Sequence, residues 1–264
     1  MSTQDLLESV SDGVMLLTMN RPDALNALSW PMMDAMSDAV GRAASDDAIG
    51  CVVLTGAGRG FCAGGDVKAM AAGTEMTGRL EAKAQALRQR MEISRLLHEL
   101  PKPVIAMVNG PAAGAGLSIA LSCDLRFMAA GARLSTAFAN VGYSGDFGGS
   151  YFLTQLVGTA KARELYFLSD RIDAEEALRL GIANRVFPDA ALQTETMAVA
   201  RKLANGPRIA YRYIKRNMNA AESGTLAQCF DLEAWGHTRT GETEDHKEAA
   251  KAFVEKRQPS FKGR

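Results

Sequence analysis

Asp146 stands between Gly145 and Phe147 in a glycine-rich stretch, residues 137–149, and two further stretches share that character. One is Gly56-Ala-Gly-Arg-Gly-Phe-Cys-Ala-Gly-Gly-Asp66. The other is the run 103–124, in which apolar Val104 to Val108 meets Asn109-Gly110-Pro111, the small residues Ala112 to Gly116, and an apolar segment ending at Cys123-Asp124. That run reads as buried strand, tight turn and helix, with small residues letting a ligand approach backbone N–H groups that have no partner inside the helix. Two such loops leaving parallel strands can each aim one N–H at the same point, as an enolate or tetrahedral oxyanion requires. An acid beside them supplies proton transfer or a nucleophile. Plainer readings stand alongside. The small residues let a helix pack close to a sheet, and Asp146 caps the helix that starts near Gly148.

Other chemistries fit less well. Gly58-x-Gly60-x-x-Ala63 matches the outline of a dinucleotide loop, but no helix follows at once, and the place for the ribose-binding acid falls in a charged helical stretch. Neither a GxxxxGK[ST] loop nor a Gly-x-Ser-x-Gly elbow occurs. His98, His237 and His246 lie far apart on helical stretches, which predicts surface or partner-contact histidines and no metal site. The 264 residues carry 30 Lys+Arg against 30 Asp+Glu, a balance with no footprint for nucleic acid or an anionic membrane. Cys51, Cys62, Cys123 and Cys229 show no CxxC spacing and read as reduced packing residues of a cytoplasmic protein. No apolar run reaches the length of a membrane span.

The elements that must position these residues follow from periodicity and turn signals. Residues 6–10 and 14–19 flank Ser11-Asp12-Gly13 as an opening hairpin. Ser29 caps a helix with Pro31 just inside it, running to about Ala44 over Met32, Met36 and Val40. Cys51 to Thr55 is a buried strand. From Thr77 to Leu100 the period is helical, with Leu80, Leu87, Met91, Leu96 and Leu97 as its buried face, and Pro101 and Pro103 end it. Strands are expected at 125–128 and 184–187, and short helices at 150–156, 161–168 and 174–180. Helices alone follow at 191–204, 207–220, 224–240 and 244–256. The shift from alternating strands and helices to helices places a soft boundary near 200, dividing a core, 1–200, from a helical region, 201–264.

With these residues in view, the sequence resembles the crotonase (enoyl-CoA hydratase/isomerase) superfamily. The matching pieces are Asn20-Arg-Pro-Asp-Ala-Leu-Asn-Ala-Leu28, Gly60-Phe-Cys-Ala-Gly-Gly-Asp66, Lys102 through Asp124, Asp170-Arg-Ile-Asp-Ala-Glu-Glu-Ala-Leu-Arg-Leu-Gly-Ile-Ala183, and Phe253 through Gly263, in the family's order. The resemblance implies an α/β spiral of ββα units forming two nearly perpendicular sheets, the core 1–200 being the acyl-CoA-binding spiral. It also implies a C-terminal helical region used in trimerisation, often within a hexamer. It further implies an acyl-CoA thioester as substrate, coenzyme A entering as part of it with no separate cofactor. The thioester oxygen would be held by the N–H groups of Gly65 and Ala115. Arg21, Ala24 and Lys68 match the CoA-lining stretches, and Phe253, Phe261 and Lys262 match a helix and tail that close over CoA.

Departures from the family pattern bear on the reaction. Family hydratases carry two glutamates that position and activate water, and Ser118 and Phe138 stand at those places here. Neither transfers a proton, and Phe138 would exclude water. Asp146 matches the aspartate of the ring-opening 1,2-epoxyphenylacetyl-CoA isomerases, dienoyl-CoA isomerases and 4-chlorobenzoyl-CoA dehalogenases. The first of these branches also lacks both glutamates. The expectation is therefore a double-bond isomerase in which Asp146 shuttles one proton while Ser118, Phe138 and Tyr143 line the acyl pocket. A hydratase with relocated acid and base, a hydrolase or dehalogenase using Asp146 as nucleophile, and a noncatalytic CoA- or RNA-binding member are the alternatives.

Overall fold

The two-residue turn Asp12-Gly13, both residues at positive φ, joins β1 (Leu6–Ser11) to β2 (Val14–Met19) as an antiparallel hairpin. Such a turn matches the twist of the paired strands. β2 then runs parallel to β3 (Cys51–Gly56), and β4 (Val104–Val108), β6 (Leu125–Ala129) and β9 (Arg185–Phe187) extend the sheet in the order β1-β2-β3-β4-β6-β9. Every residue of β3 and β4 is buried. A strand covered on both faces reads as an unbroken apolar run, and so these two were visible in the sequence. This is a computed structural model, and it describes residues 3–66 and 78–264.

A second, 3-stranded sheet is built from β5 (Ala112–Ala113), β7 (Arg133–Ser135) and β8 (Ile172–Asp173). These three strands are too short to show a period, and the sequence predicts no strand at any of them. With the helices they give a mixed α/β fold.

Helix α1 (Trp30–Ser45) starts as expected: the Ser29 hydroxyl accepts the Met32 N–H at 3.2 Å, and Met32, Met36 and Val40 are buried. The expected helix 77–100 is two, α2 (Leu80–Arg90) and α3 (Glu92–Glu99), meeting at Met91. Its buried face needs correction. Leu80 is exposed, whereas Leu97 and the unpredicted Ile93 are fully buried. Leu80 is the first residue of α2, and a helical side chain leans toward the N-terminus, where α2 has no preceding turn for it to pack on. α4 (Ala115–Leu121) is buried throughout. α5 (Gly149–Leu168) breaks at Gly158, which separates the two short helices expected there.

After α6 (Ala174–Arg179), α7 (Leu192–Ala204) packs on the large sheet, touching β2, β3, β4, β6 and β9. α8 (Arg208–Ala221) packs on α3 and on α9 (Leu226–Gly241), and α10 (Glu244–Val254) follows. From α8, Lys215 Nζ reaches Asp124 Oδ2 at 2.8 Å, beyond the end of α4, and donates to the Leu97 carbonyl at 2.9 Å. No helix among the described residues is long and apolar enough to cross a membrane.

Candidate active site

The first glycine loop leaves the end of β3 and is held by two asparagines. Asn26, fully buried, donates through Nδ2 to the carbonyls of Ala57 (2.9 Å) and Gly60 (2.8 Å) and accepts the Arg21 N–H at 2.9 Å. Asn109 accepts the Gly56 N–H at 3.2 Å and donates to Gly58 (3.0 Å) and Gly60 (3.2 Å). Backbone bonds then fix the loop on both flanks. Leu28 N–H donates to Gly64 (2.8 Å) and Ala63 N–H to Leu25 (2.9 Å) on one side, and Ala113 N–H to Cys62 (2.9 Å) on the other.

These bonds bring the loop against the start of α4. Gly64 has φ +90°, and a methyl group there would lie 2.7 Å from the Ala113 carbonyl oxygen and 3.3 Å from the Ala115 nitrogen. The residue must therefore be glycine on both conformational and steric grounds. Gly65 follows directly. Neither Gly65 N–H nor Ala115 N–H makes a backbone hydrogen bond within the described residues. The Leu28–Gly65 bridge uses the Gly64 carbonyl instead. Ala115 is the first residue of α4, where the N–H groups lack intrahelical acceptors.

The third glycine loop packs on the same turn of α4. A Cβ on Gly149 would strike the Ser118 Oγ and come within 2.5 Å of the Tyr166 hydroxyl, so loop, α4 and α5 meet there without a gap. Phe138, buried, stacks on Tyr166 at 5.8 Å between centroids, and its ring edge lies against Gly114. Asp146 lies three residues before Gly149 in this loop, close enough to Tyr166 for its charge to help push that phenol up. Its Oδ1 is buried with no hydrogen-bond partner, and burial pushes its carboxyl up to about 6. The capping alternative for Asp146 is resolved by its backbone: Gly149 N–H binds the Asp146 carbonyl at 3.0 Å, while the helix cap is Gly148. A free carboxyl held near neutrality by desolvation can both take and return a proton.

The remaining predicted site residues are dispersed. Tyr143 is 57% exposed, joined to the loop through its N–H to the Phe138 carbonyl at 3.0 Å. Arg21 is occupied: it pairs with Asp66 at 3.0 Å and donates to the Ala27 carbonyl at 2.7 Å. Ala24 ends a 3₁₀ turn, Pro22–Ala24, in the same loop. Lys68 lies outside the described residues. Phe253 is 85% exposed on α10, and Lys262 is tied through its N–H to Asp245 at 2.7 Å, with Phe261 just before it. Burial pushes the Cys62 thiol up to about 12, which leaves it protonated beside the loop. Sequence reasoning missed Asn26, Asn109 and Tyr166. The asparagines sit in stretches that match the family without a role for either side chain, and Tyr166 lies 20 residues from Asp146 with no local signal.

Near the third loop, Phe147 and Gly148 form one wall of a cavity of about 400 Å³ that α2 and α3 complete through Met91 and Ser94. Arg88, Glu92, Arg95, His98, Glu99 and Asn219 also line it, so its walls are largely polar and charged, unlike the apolar pocket an acyl group requires.

With this geometry in hand, the comparisons with known proteins are specific. The profile of the family described as enoyl-CoA hydratase/isomerase matches residues 9–264. The 1,2-epoxyphenylacetyl-CoA isomerase of Escherichia coli (strain K12) is 37% identical, with 98% of each chain covered. The short-chain-enoyl-CoA hydratase of Clostridium acetobutylicum is also 37% identical, with 95% of each covered. Among solved structures, a putative enoyl-CoA hydratase from Streptomyces coelicolor A3(2) superposes with a TM-score of 0.93 at 35% identity, covering 98% of this chain and 94% of that one. The chain belongs to the enoyl-CoA hydratase/isomerase family, the crotonase superfamily, and is an enzyme of that class.

Proposed function

We infer that the chain is an enoyl-CoA double-bond isomerase. The observation that carries this reading is the Asp146 carboxyl, buried with Oδ1 unpartnered and raised to about 6, in a loop packed on the helix start that bears the uncommitted N–H of Ala115. In the proposed cycle the thioester oxygen of an unsaturated acyl-CoA accepts the N–H groups of Gly65 and Ala115. Asp146 removes a proton from the acyl chain, and the electron pair moves onto the held oxygen as an enolate. Asp146 then returns the same proton at another carbon. One donor of such a pair contributes about 3 kcal/mol to the transition state. The residues at the two hydratase glutamate positions support a cycle without water: Ser118 bonds inward to the Gly114 carbonyl at 3.2 Å, and Phe138 is buried.

Arg21, Ala24, Lys68, Phe253, Phe261 and Lys262 belong to this reading as the CoA contacts. A homotrimer or hexamer goes with it, supported by exposed Ile214 and Met218 on α8 and Phe230 and Trp235 on α9. The unpaired, buried thiols of Cys51, Cys62 and Cys123 support a cytoplasmic setting.

Hydration of the double bond is the second reading, favoured by relatives named as hydratases, one of them 35% identical over the full length of both chains. Incubation with straight-chain and aromatic enoyl-CoAs in deuterated water separates the two. A double-bond isomer without gain of water is the expected result, with deuterium at the α or γ carbon only as far as the proton held by Asp146 exchanges with solvent before its return. A product heavier by one water would overturn the isomerase in favour of the hydratase.

A further inference from the structure

Resting on the Gly65–Ala115 oxyanion hole of that reading, we propose that Arg21 is a positioning residue of the hole: its guanidinium clamps Asp66 to the loop before α1 and so holds the Gly65 N–H in place. That loop, 20–28, grips the first glycine loop on either side of Gly65. Before it, the Leu28 N–H donates to the Gly64 carbonyl at 2.8 Å. The Gly64 carbonyl and the Gly65 N–H are the two ends of one peptide unit. No cis peptide occurs among the described residues, so this N–H points to the side opposite the carbonyl, away from Leu28. After it, Arg21 Nη2 donates to Asp66 Oδ2 at 3.0 Å. Nη1 of the same guanidinium donates at 2.7 Å to the carbonyl of Ala27, the residue before Leu28. One planar fork thus ties the far side of Gly65 to the segment that holds its near side.

Arg21 is itself fixed along its backbone. Its N–H donates to Asn26 Oδ1 at 2.9 Å, and its carbonyl accepts the N–H groups of Asn26 at 2.8 Å and Ala24 at 3.0 Å. The side chains of Arg21 and Asp66 are 26% and 22% exposed, which leaves the pair less screened than one on an open surface. The pairing also has an electrostatic consequence. Asp66 directly follows Gly65, and a bare carboxylate there would oppose the negative charge that develops on a thioester oxygen held by the Gly65 N–H. The Arg21 cation offsets it. A guanidinium committed to Asp66 and Ala27 is not aimed at a phosphate, and the part of Arg21 in holding CoA is left to its backbone.

The test compares Arg21→Met with the unaltered protein on an enoyl-CoA and on the same acyl group carried by N-acetylcysteamine, a thioester without the nucleotide. kcat should fall by about 10–10²-fold on both, the scale of a misplaced group and short of the loss of a whole donor. KM and the Kd of free CoA, measured by calorimetry, should be unchanged. The bound thioester carbonyl stretch, which should move to lower frequency in difference infrared spectra of the unaltered protein, should move less in the variant. A loss confined to the CoA thioester, in KM and with weaker binding of free CoA, would make the guanidinium a CoA ligand and overturn the clamp. Unaltered kcat on both thioesters with a full infrared shift would overturn it too, leaving Arg21 a purely structural part. Arg21→Lys keeps a cation for a phosphate but lacks the planar fork, so kcat should still fall on both thioesters while CoA binding holds. It carries the test if Arg21→Met does not fold, and full kcat there overturns the clamp. Absence of any infrared shift in the unaltered protein would overturn the oxyanion hole and the clamp with it. A hydrated product would overturn the isomerase and not the clamp, which the two thioesters judge in either cycle.

Discussion

Asp146 and its neighbours trade stability for reactivity. A carboxyl whose pKa is raised on folding favours the protonated form, so its full contribution to stability is present below its unfolded value of 3.8 and is lost as pH rises through about 6. Asp146→Asn, neutral at every pH, should therefore raise the unfolding free energy above about pH 6, by on the order of 2 kcal/mol. The gain should vanish in acid, where the native carboxyl is neutral too; thermal melts across pH measure it. The same substitution should lower kcat by about 10²–10⁴-fold, the usual span for loss of a positioned acid-base group. In the unaltered protein kcat/KM should rise through an inflection near pH 6, since the base form starts the cycle. A flat profile would remove Asp146 from proton transfer. Gly149→Ala presses on Ser118 and Tyr166 at once and should cost about 1–3 kcal/mol of stability as well as activity, checked by denaturant titration.

At the scale of elements, the site is a matter of loops held in unfavourable backbone. Leu25 and Asn26 in the loop before α1, and Ala137 and Phe147 in the third loop, all have φ between 49° and 59°. Each costs about 1–2 kcal/mol for a residue with a side chain, more easily borne by Asn. Asn26 offsets this through three hydrogen bonds. Asn26→Ala should lower stability by about 3 kcal/mol, leaving buried backbone groups unpaired in a left-handed residue. Asn26→Gly, relieved of strain but not of the lost bonds, should lose less; equal losses would show that backbone strain does not contribute. Such features mark how far the sequence could be read. The hairpin, α1, β3 and β4 were legible because period, cap and turn residues agreed. The Gly65–Ala115 approach was legible only through family motifs, although Gly64 and its neighbours hinted at a close backbone approach. Tyr166 was not legible, because its neighbours Phe138 and Ser118 lie in the third loop and in α4, and only tertiary packing brings them to the far end of α5. Leu80 misled for a related reason: helical spacing gives the face of a helix but not whether a turn beyond its end covers it.

Across the whole molecule, the C-terminal helices are coupled to the site's framework at Asp124. Its Oδ2 accepts the Val104 N–H at 2.7 Å, where β4 begins, and Lys215 Nζ of α8 at 2.8 Å. α4 ends just before Asp124, so one carboxyl joins the strand that enters the central turn, the helix that leaves it and a helix from the far end of the chain. Burial raises the Asp124 pKa, and Lys215 opposes that rise. Lys215→Met removes the opposing charge and should cost about 3–5 kcal/mol, the usual penalty for stranding a buried charge. The loss should be greatest where Asp124 must remain ionised. A carboxyl raised further by loss of its cation gives up stability as pH climbs through its folded pKa, so the deficit should widen between about pH 5 and about pH 8. Asp124→Asn combined with Lys215→Met, with neither charge left, should recover much of the loss and show no such widening. Urea titrations at the two pH values decide the matter. A deficit equal at both, and equal in the double variant, would mean that Lys215 holds α8 through the Leu97 carbonyl and the packing of its chain, with no part for its charge.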